Sequence, residues 1–286
     1  MHDQRCRFYF RNRAIRGSWA QLKNSLTPIQ QRHAHSKYLS ELLGQAMVST
    51  ALMSHVLKFS GSLTLQARSD GPVTLIMAEC TDSGHLRAIA HEQTPHKVTA
   101  TTHLLNALPN GQLVMTIDAE SQRYQGIVPL EHADLASCLE SYFQRSEQLP
   151  TRLYLFSYAD QHAGLMLQIL PDANPQQALD DLDHVAMMAS TLKAEEICQL
   201  SPETLLHRLY HEDDIDLATP DPLQYRCRCS RERSLHALSS LGSEDLQHLL
   251  MEQHGQIQMD CELCGRTYRF EAEDLTAYLE PQAPLQ

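Results

Sequence analysis

Two short cysteine pairs lie near the C-terminus of this 286-residue chain: Cys227-Arg-Cys229 and, after residues 230–260, Cys261-Glu-Leu-Cys264. Four thiolates at the corners of a tetrahedron are the ligand set that a structural Zn²⁺ site prefers. Each pair is close enough in sequence to supply one edge of that tetrahedron. Gly265 follows the second pair and allows the tight backbone turn of a zinc knuckle. The spacing therefore predicts one Zn²⁺ per chain, bound by all four cysteines.

The residues around the second pair predict a small folded unit. Ile257 and Met259 before the pair alternate with polar residues as in a strand, and Tyr268 and Phe270 do the same after it. Ser243-Glu-Asp-Leu246 is a helix start signal, with Leu249 and Leu250 on the inward side and Gly255 as the stop. We therefore expect a helix followed by a hairpin that carries the knuckle.

Charge divides the chain into three parts. Residues 1–170 carry 15 Lys and Arg against 13 Asp and Glu, residues 171–226 carry 3 against 12, and residues 227–286 carry 5 against 10. Most of the formal net charge of −12 thus falls in one proline-containing stretch. The sequence therefore predicts a core domain at 1–170, an acidic helical linker at 171–226 and a C-terminal zinc domain at 227–286.

The first part predicts an α+β fold, with an N-terminal α/β core domain. Apolar residues between Leu39 and Leu57 recur at the spacing of a long helix. Asp70-Gly71 separates two alternating runs and indicates a hairpin, which His85–Glu92 extends. Further elements are expected as strands at 112–118, 123–128, 152–158 and 165–170 and as a helix at 131–146.

The sequence of the linker predicts two helices, each with an apolar stripe along one side. Pro175 opens the first helix, and Ser201-Pro-Glu203 starts the second with an N-cap, a proline at the first position and an acid in the first turn. Isolated helices of this length are marginal in water, so packing against neighbours must stabilise them.

Composition restricts the class of protein. The 42% hydrophobic content is too high for a disordered chain, and no apolar run reaches the roughly 20 residues of a membrane span. The acidic balance argues against nucleic-acid and anionic-membrane partners. We find no phosphate-binding loop, nucleophile elbow or zinc-protease motif, so we expect no enzyme. The N-terminus leads into no secretory apolar segment, which predicts a cytoplasmic protein in a reducing compartment.

Two alternative functions would use the same four cysteines. A nucleic-acid-binding zinc ribbon would hold phosphates with the arginines of the last part, at positions 228, 231, 233, 266 and 269. The negative charge of that part weighs against it, and the arginines would instead offset the charge of four thiolates. A thiol oxidoreductase would need a Cys-x-x-Cys motif that opens a helix, whereas here the motif lies between expected strands.

The cysteine spacing behind an acidic helical linker resembles the 33 kDa heat-shock protein family of redox-regulated holdase chaperones. Other stretches agree along essentially the whole chain: Asp70-Gly-Pro72, Gly126-Ile-Val-Pro-Leu-Glu131, Tyr142-Phe-Gln-Arg-Ser-Glu-Gln-Leu-Pro-Thr-Arg152 and Gly265-Arg-Thr-Tyr-Arg-Phe270. The chain departs from the family at His132, where we expected glycine.

The resemblance implies a function and a switch. The family is zinc-bound and inactive when reduced. Oxidation pairs Cys227 with Cys229 and Cys261 with Cys264, releases zinc, unfolds the linker and yields a homodimer that binds unfolding client proteins without ATP. The switch has no role for the other cysteines, which we expect to be small buried hydrophobic residues: Cys6, Cys80, Cys138 and Cys198.

An opened linker would expose its apolar side chains to clients. The residues expected to bind clients are Leu179, Leu182, Val185, Met187, Met188, Leu192, Leu205, Leu206 and Leu209. The alternative is that clients bind a surface of the core domain that the linker merely covers.

Overall fold

The structure is a computed structural model that describes residues 3–33, 35–57, 59–93, 103–119, 122–171 and 174–279. The chain divides into two compact units, residues 1–226 and 227–286. The larger unit has two hydrophobic cores, and the smaller unit has its own. Helices and sheets in both units confirm the predicted α+β fold. The predicted boundary near residue 170, with a separate linker at 171–226, stays a prediction.

The larger unit contains runs of strands separated by helices. Its strands are β1 (Gln4–Phe10), β2 (Ile15–Leu22), β3 (Gly61–Arg68), β4 (Val73–Thr81), β5 (His85–Glu92), β6 (Gln112–Ala119), β7 (Arg123–Pro129), β8 (Thr151–Tyr158), β9 (Gln161–Ile169), β10 (Ile215–Leu217), β11 (Asp221–Pro222) and β12 (Gln224–Tyr225). Its helices are α1 (Thr27–Gln30), α2 (Lys37–Val56), α3 (Leu104–Ala107), α4 (Leu135–Tyr142), α5 (Pro175–Ala189), α6 (Ala194–Gln199) and α7 (Pro202–Leu209). The smaller unit adds α8 (Arg231–Ser239), α9 (Ser243–Glu252), β13 (Gln256–Asp260), β14 (Thr267–Glu271) and α10 (Ala272–Leu279).

Helix α2 packs between the two sheets of the larger unit and is buried along most of its length. Its first turn is capped by Ser36, whose hydroxyl accepts the Leu39 N–H at 3.2 Å. A helix that is apolar on most sides belongs in a protein interior. The predicted long helix is therefore confirmed to within two residues at each end.

The first sheet has the order β10-β1-β2-β9-β8 among the described residues, and β11 also pairs with β1. Strand β9 is buried on both faces. Leu165 and Leu167 contribute to the second core, whereas Met166 contributes to the first. Because side chains alternate across a strand, this one sheet separates two hydrophobic layers.

The second sheet has the order β12-β5-β4-β3-β6-β7 in the part of the chain that the structure describes. Strand β12 runs parallel to β5, and the other pairs are antiparallel. The predicted hairpin around Asp70-Gly71 is confirmed, with β3 and β4 paired from Ser62 and Thr81 to Arg68 and Leu75.

Residues 174–217 pack on the first sheet, whereas β12 joins the second sheet beside β5. Helices α5, α6 and α7 supply about half of the second core, which they share with β1, β2 and β9. Arg13 in the β1–β2 turn adds polar anchors: Nη1 lies 2.9 Å from an Asp181 oxygen and Nε lies 2.8 Å from an Asp213 oxygen. The acidic stretch is thus well anchored in this state.

The predicted helix over 131–146 is interrupted in the structure. Asp134 accepts the Ser137 N–H at 2.8 Å, so α4 begins only at Leu135. After Tyr142 the chain forms a π-helical turn at Phe143–Glu147 and leaves it at Gln148 with a φ of 55°. A capping aspartate and a left-handed residue, rather than apolar periodicity, set these bounds.

Acid should destabilise the larger unit through His162, which lies in β9. Its Nδ1 is 2.9 Å from the Ser157 hydroxyl, and a Cβ at Gly44 of α2 would overlap its ring. Burial lowers the pKa of His162 from 6.5 to about 4. The neutral form is favoured in the fold, so this stability is complete above pH 6.5 and is lost as the pH falls toward 4, by roughly 3 kcal/mol.

Urea unfolding of the wild type and of His162→Gln at pH 7 and pH 4.5 measures this contribution. The variant should lose less stability than the wild type between the two pH values, because it has no imidazole to protonate. Equal losses in the two proteins would contradict the assignment.

Candidate metal centre

The sulfurs of the two cysteine pairs converge at one point of the smaller unit. The four Sγ atoms all lie within 4.8 Å of one another. Those of Cys229 and Cys264 are 3.2 Å apart, and those of Cys227 and Cys261 are 3.7 Å apart. Sulfurs bound to a tetrahedral Zn²⁺ at about 2.3 Å would be about 3.8 Å apart. The four cysteines could therefore hold a metal ion with small side-chain adjustments, and thiolate sulfur suits zinc.

The second pair is held by the turn between β13 and β14. The Cys261 N–H donates to the Arg266 carbonyl at 2.9 Å, and the Gly265 N–H donates to the Cys261 carbonyl at 2.6 Å. Gly265 has a φ of 65°, in the left-handed region that favours glycine. The predicted hairpin with a tight turn at Gly265 is confirmed, with Met259 paired to Tyr268, whereas a zinc ion held by this turn stays a prediction.

The first pair comes directly before helix α8. Ser230 caps that helix by accepting the Arg233 N–H at 3.2 Å, and the Arg233 guanidinium donates to the Arg228 carbonyl at 3.0 Å. These bonds fix the chain between Cys227 and Cys229 at the start of the helix. The positive end of a helix favours nearby negative charge, which here is that of thiolates.

Tyr268 makes the main polar contact to a sulfur. Its hydroxyl donates to Cys229 Sγ at 3.1 Å. Burial raises the pKa of Cys229, but this bond and the bonds with the other thiols outweigh burial and lower the pKa to about 7. Burial instead raises the pKa of Cys264 to about 12. Coordination of a metal by all four thiolates must therefore release protons.

One arginine lies near the sulfurs, and a second is held elsewhere in the small unit. Hydrogen bonding to Tyr268 and the negative charge of Cys229 and Cys264 raise the pKa of Arg266, which places a positive charge near the sulfurs. The Arg231 guanidinium lies 4.7 Å from the centre of the Phe270 ring and donates to Asp274 at 2.7 Å. Arg231 is thus engaged within the unit.

The core around this site is small. It consists of Leu238, Leu246, Leu250, Ile257, Tyr268, Phe270 and Leu275, with Cys229 packed against it. Domains of this size commonly need a metal or disulfides for stability. The four cysteines are therefore placed to stabilise the whole smaller unit.

The other four cysteines are buried, as predicted. Cys6, Cys80 and Cys198 have no exposed surface, and Cys138 is 1% exposed. Burial raises the pKa of Cys6 to about 12 and that of Cys198 to about 11. Thiols are reactive as thiolates, so these side chains are inert in the folded state.

The residues expected to bind clients fall into two groups. Those buried in the second core are Leu182, Val185, Leu192, Leu205 and Leu206. Leu179 and Met187 are 40% and 71% exposed, and Met188 and Leu209 are partly buried against the same core. Most of this apolar surface is therefore covered while the linker is folded.

Fold and site together describe an α+β unit followed by a small unit with four clustered cysteines, the arrangement expected of a chaperone of the family that the sequence resembles. The Hsp33 protein family model matches residues 3–271. The chain belongs to this family of chaperones, which confirms the resemblance.

Relatives and a solved structure agree along the whole chain. A 33 kDa chaperonin of Ectopseudomonas mendocina (strain ymp) is 44% identical over 96% of this chain and 94% of its own length. One from Pseudomonas aeruginosa (strain LESB58) is 41% identical over 96% and 93%. The crystal structure of the 33 kDa chaperonin of Thermotoga maritima is similar in fold, with a TM-score of 0.79, 21% identity and coverage of 97% and 98%. Among the described residues, no helix combines the length and apolar character needed to cross a bilayer.

Sequence reasoning missed the contact between Tyr268 and Cys229. The sequence predicts a strand at Tyr268, because Tyr268 and Phe270 alternate with polar residues. That signal predicts burial of the ring and carries no information about the hydroxyl, which reaches a cysteine 39 residues away.

Replacing Tyr268 by phenylalanine should weaken metal binding. Groups that hydrogen-bond to ligand atoms typically contribute 10–100-fold to metal affinity, so we expect a loss of about tenfold. Competition of the reduced, zinc-loaded chain with a chromophoric chelator at pH 7 measures it. Tyr278→Phe is the matched control, because that ring packs on the same small core without a bond to Cys229 among the described contacts. Identical zinc affinities in the two variants would exclude a role for the hydroxyl.

Proposed function

We propose that this chain is a redox-regulated, ATP-independent holdase: zinc-bound and inactive when reduced, and active in binding unfolding proteins when oxidised. The observation that carries the proposal is the set of four sulfurs within 4.8 Å in a unit with a small core. A cytoplasmic location, where thiols stay reduced, fits a chain whose eight cysteines are all free.

The four thiolates have two tasks. Cys227, Cys229, Cys261 and Cys264 hold one Zn²⁺ per chain, and the ion, when bound, stabilises the folded small unit. Two thiolates lose two electrons when they join as a disulfide. One molecule of a peroxide takes up those electrons and two protons to give two waters, or one alcohol and one water. Pairing Cys227 with Cys229 and Cys261 with Cys264 therefore consumes two peroxides per chain. The disulfide sulfurs no longer act as thiolate ligands.

The linker adjoins the small unit through the chain itself. The Arg226 N–H donates to the Leu86 carbonyl at 2.8 Å, one residue before Cys227. The neighbouring strands β11 and β12 are two residues long. Such short pairings are marginal. Unfolding at Cys227 would remove the restraint that keeps this end of the linker in register.

Release of the linker would expose two kinds of surface. The leucines and Val185 of α5 and α7 would leave the second core and join Met187 and Met188 as flexible apolar contacts for clients. The acidic side chains of residues 171–226 would repel one another and keep the open form soluble. The oxidised chain is expected to form a homodimer.

Oxidation with hydrogen peroxide at mildly raised temperature tests the proposal. It should release one zinc per chain and turn on suppression of client aggregation in the absence of nucleotide, as followed by light scattering. Dithiothreitol with added zinc should reverse both changes. Equal activity of the reduced, zinc-loaded chain would refute the switch.

A further inference from the structure

The end of the linker lies along the outer edge of strand β1. Strand β10 pairs antiparallel with β1, with Leu217 opposite Phe8 and Ile215 opposite Phe10. The Ala218 N–H donates to the Arg7 carbonyl and the Arg11 N–H donates to the Asp214 carbonyl, both at 2.9 Å.

The same edge is covered further along. Strand β11 places Asp221 opposite Arg5 and Pro222 opposite Gln4, and the Leu223 N–H donates to the Asp3 carbonyl at 2.9 Å. Residues 214–223 therefore line the outer edge of β1 and of the residue on either side of it, Asp3 and Arg11, with a break at 219–220. Loss of this segment would leave a row of unpaired backbone groups.

The side chains that cover the edge follow an alternating pattern. Ile215 and Leu217 pack against the second core on the side of Phe8 and Phe10. The acidic residues between and beside them point to arginine: Asp214 and Asp216 lie 3.6 and 3.7 Å from Arg11. The sequence Asp214-Ile-Asp-Leu217 thus matches both the apolar face and the basic end of β1.

We propose that the outer edge of β1 is a client-binding site, which the linker strand occupies in the reduced chain and which extended client segments occupy after activation. Such segments add to the first sheet as a strand, with apolar side chains toward Phe8 and Phe10 and acidic side chains toward Arg11. This site acts beside the apolar linker residues and rests on the proposed function, because the linker must leave before the edge is free.

The physical reason is the nature of an exposed edge. Unpaired N–H and C=O groups of an edge strand form hydrogen bonds with any extended chain, and apolar pockets at alternate positions select among chains. Unfolding proteins offer such segments, because their backbone is no longer paired internally. A site that uses backbone groups would hold many clients, provided that they share the pattern of apolar and acidic side chains.

A synthetic peptide of residues 212–222, labelled with fluorescein, is the probe. Backbone N–H groups of an antiparallel strand point alternately toward and away from the partner. A methyl group on the Ala218 nitrogen therefore removes a bond to β1, whereas a methyl group on the Leu217 nitrogen faces away and is the matched control.

Fluorescence anisotropy with the full-length chain is expected to show four results. The oxidised chain binds the parent peptide at least tenfold more tightly than the reduced, zinc-loaded chain does. Methylation at Ala218 weakens binding at least tenfold, and methylation at Leu217 changes it less than twofold. An oxidised chain with Leu217→Asp, whose own strand competes less well, binds the parent peptide more tightly than the oxidised wild type.

The outcomes separate this inference from the proposed function. Equal binding of the two methylated peptides, or no peptide binding by either oxidised chain, overturns the β1 site even if client aggregation is suppressed. The expected binding pattern without aggregation suppression refutes the holdase proposal and leaves the peptide site standing. Peptide binding that weakens as the chain concentration rises would assign the edge to a second copy of the chain and overturn the client site.

Discussion

Replacing Cys261 and Cys264 together by serine should abolish tight zinc binding and unfold the smaller unit. Structural zinc sites contribute on the order of 10–16 kcal/mol to folding, and the seven-residue core of this unit cannot replace that contribution. Elemental analysis should find less than a tenth of a zinc per chain. Hydrogen exchange should show loss of protection across residues 227–279, while residues 3–170 stay protected.

The matched control removes two thiols from elsewhere in the chain. Cys138 and Cys198 are buried in the larger unit, so the double variant Cys138→Ala, Cys198→Ala should keep one zinc per chain. Full zinc retention in the variant without Cys261 and Cys264 would refute the metal site.

A carboxylate introduced on the buried side of the linker should turn on suppression of client aggregation without oxidation. Ala189 at the end of α5 is fully buried in the second core. An unpaired charge there lowers the free energy of unfolding by about 3–5 kcal/mol, which exceeds the stability of a marginal helix. We expect reduced, zinc-loaded Ala189→Asp to lose hydrogen-exchange protection over 174–226 and to suppress client aggregation at a level near that of the oxidised wild type.

The neighbouring residue supplies the control for this prediction. Ser190 is exposed, so Ser190→Asp adds the same charge at the same end of the helix without burying it. It should behave as the wild type. A reduced Ala189→Asp chain that loses linker protection but suppresses no aggregation would show that release of the linker is insufficient for activity.

Elements with a strong local signal were predicted well. The helix around Leu39–Leu57, the Asp70-Gly71 hairpin and the knuckle at Cys261–Cys264 depend on periodicity, turn chemistry and ligand spacing, which neighbouring residues supply. Ser201 also caps its helix as expected.

Strand β1 was not predicted, because a buried charged residue interrupts the alternation of apolar and polar side chains in its sequence. Arg5 is 3% exposed, which a charged residue rarely is. Its guanidinium donates to the Ser54 hydroxyl and to the Asp82 carbonyl, both at 2.6 Å. Partners 49 and 77 residues away make this burial tolerable, and no local pattern shows them.

The cysteine spacing and the distribution of charge were sufficient to indicate a cluster of four cysteines and the family, whereas the three-part organisation stays a prediction. They did so because metal ligation and charge repulsion depend mainly on residue type and separation along the chain. The pairing of Asp214–Leu217 with β1, the Tyr268 bond to Cys229 and the burial of the linker leucines were decided only by folding. Each depends on which distant backbone group or side chain lies beside it in the folded chain. Three short strands within residues 171–226 were not predicted, because the acidic composition of that stretch is not typical of strands.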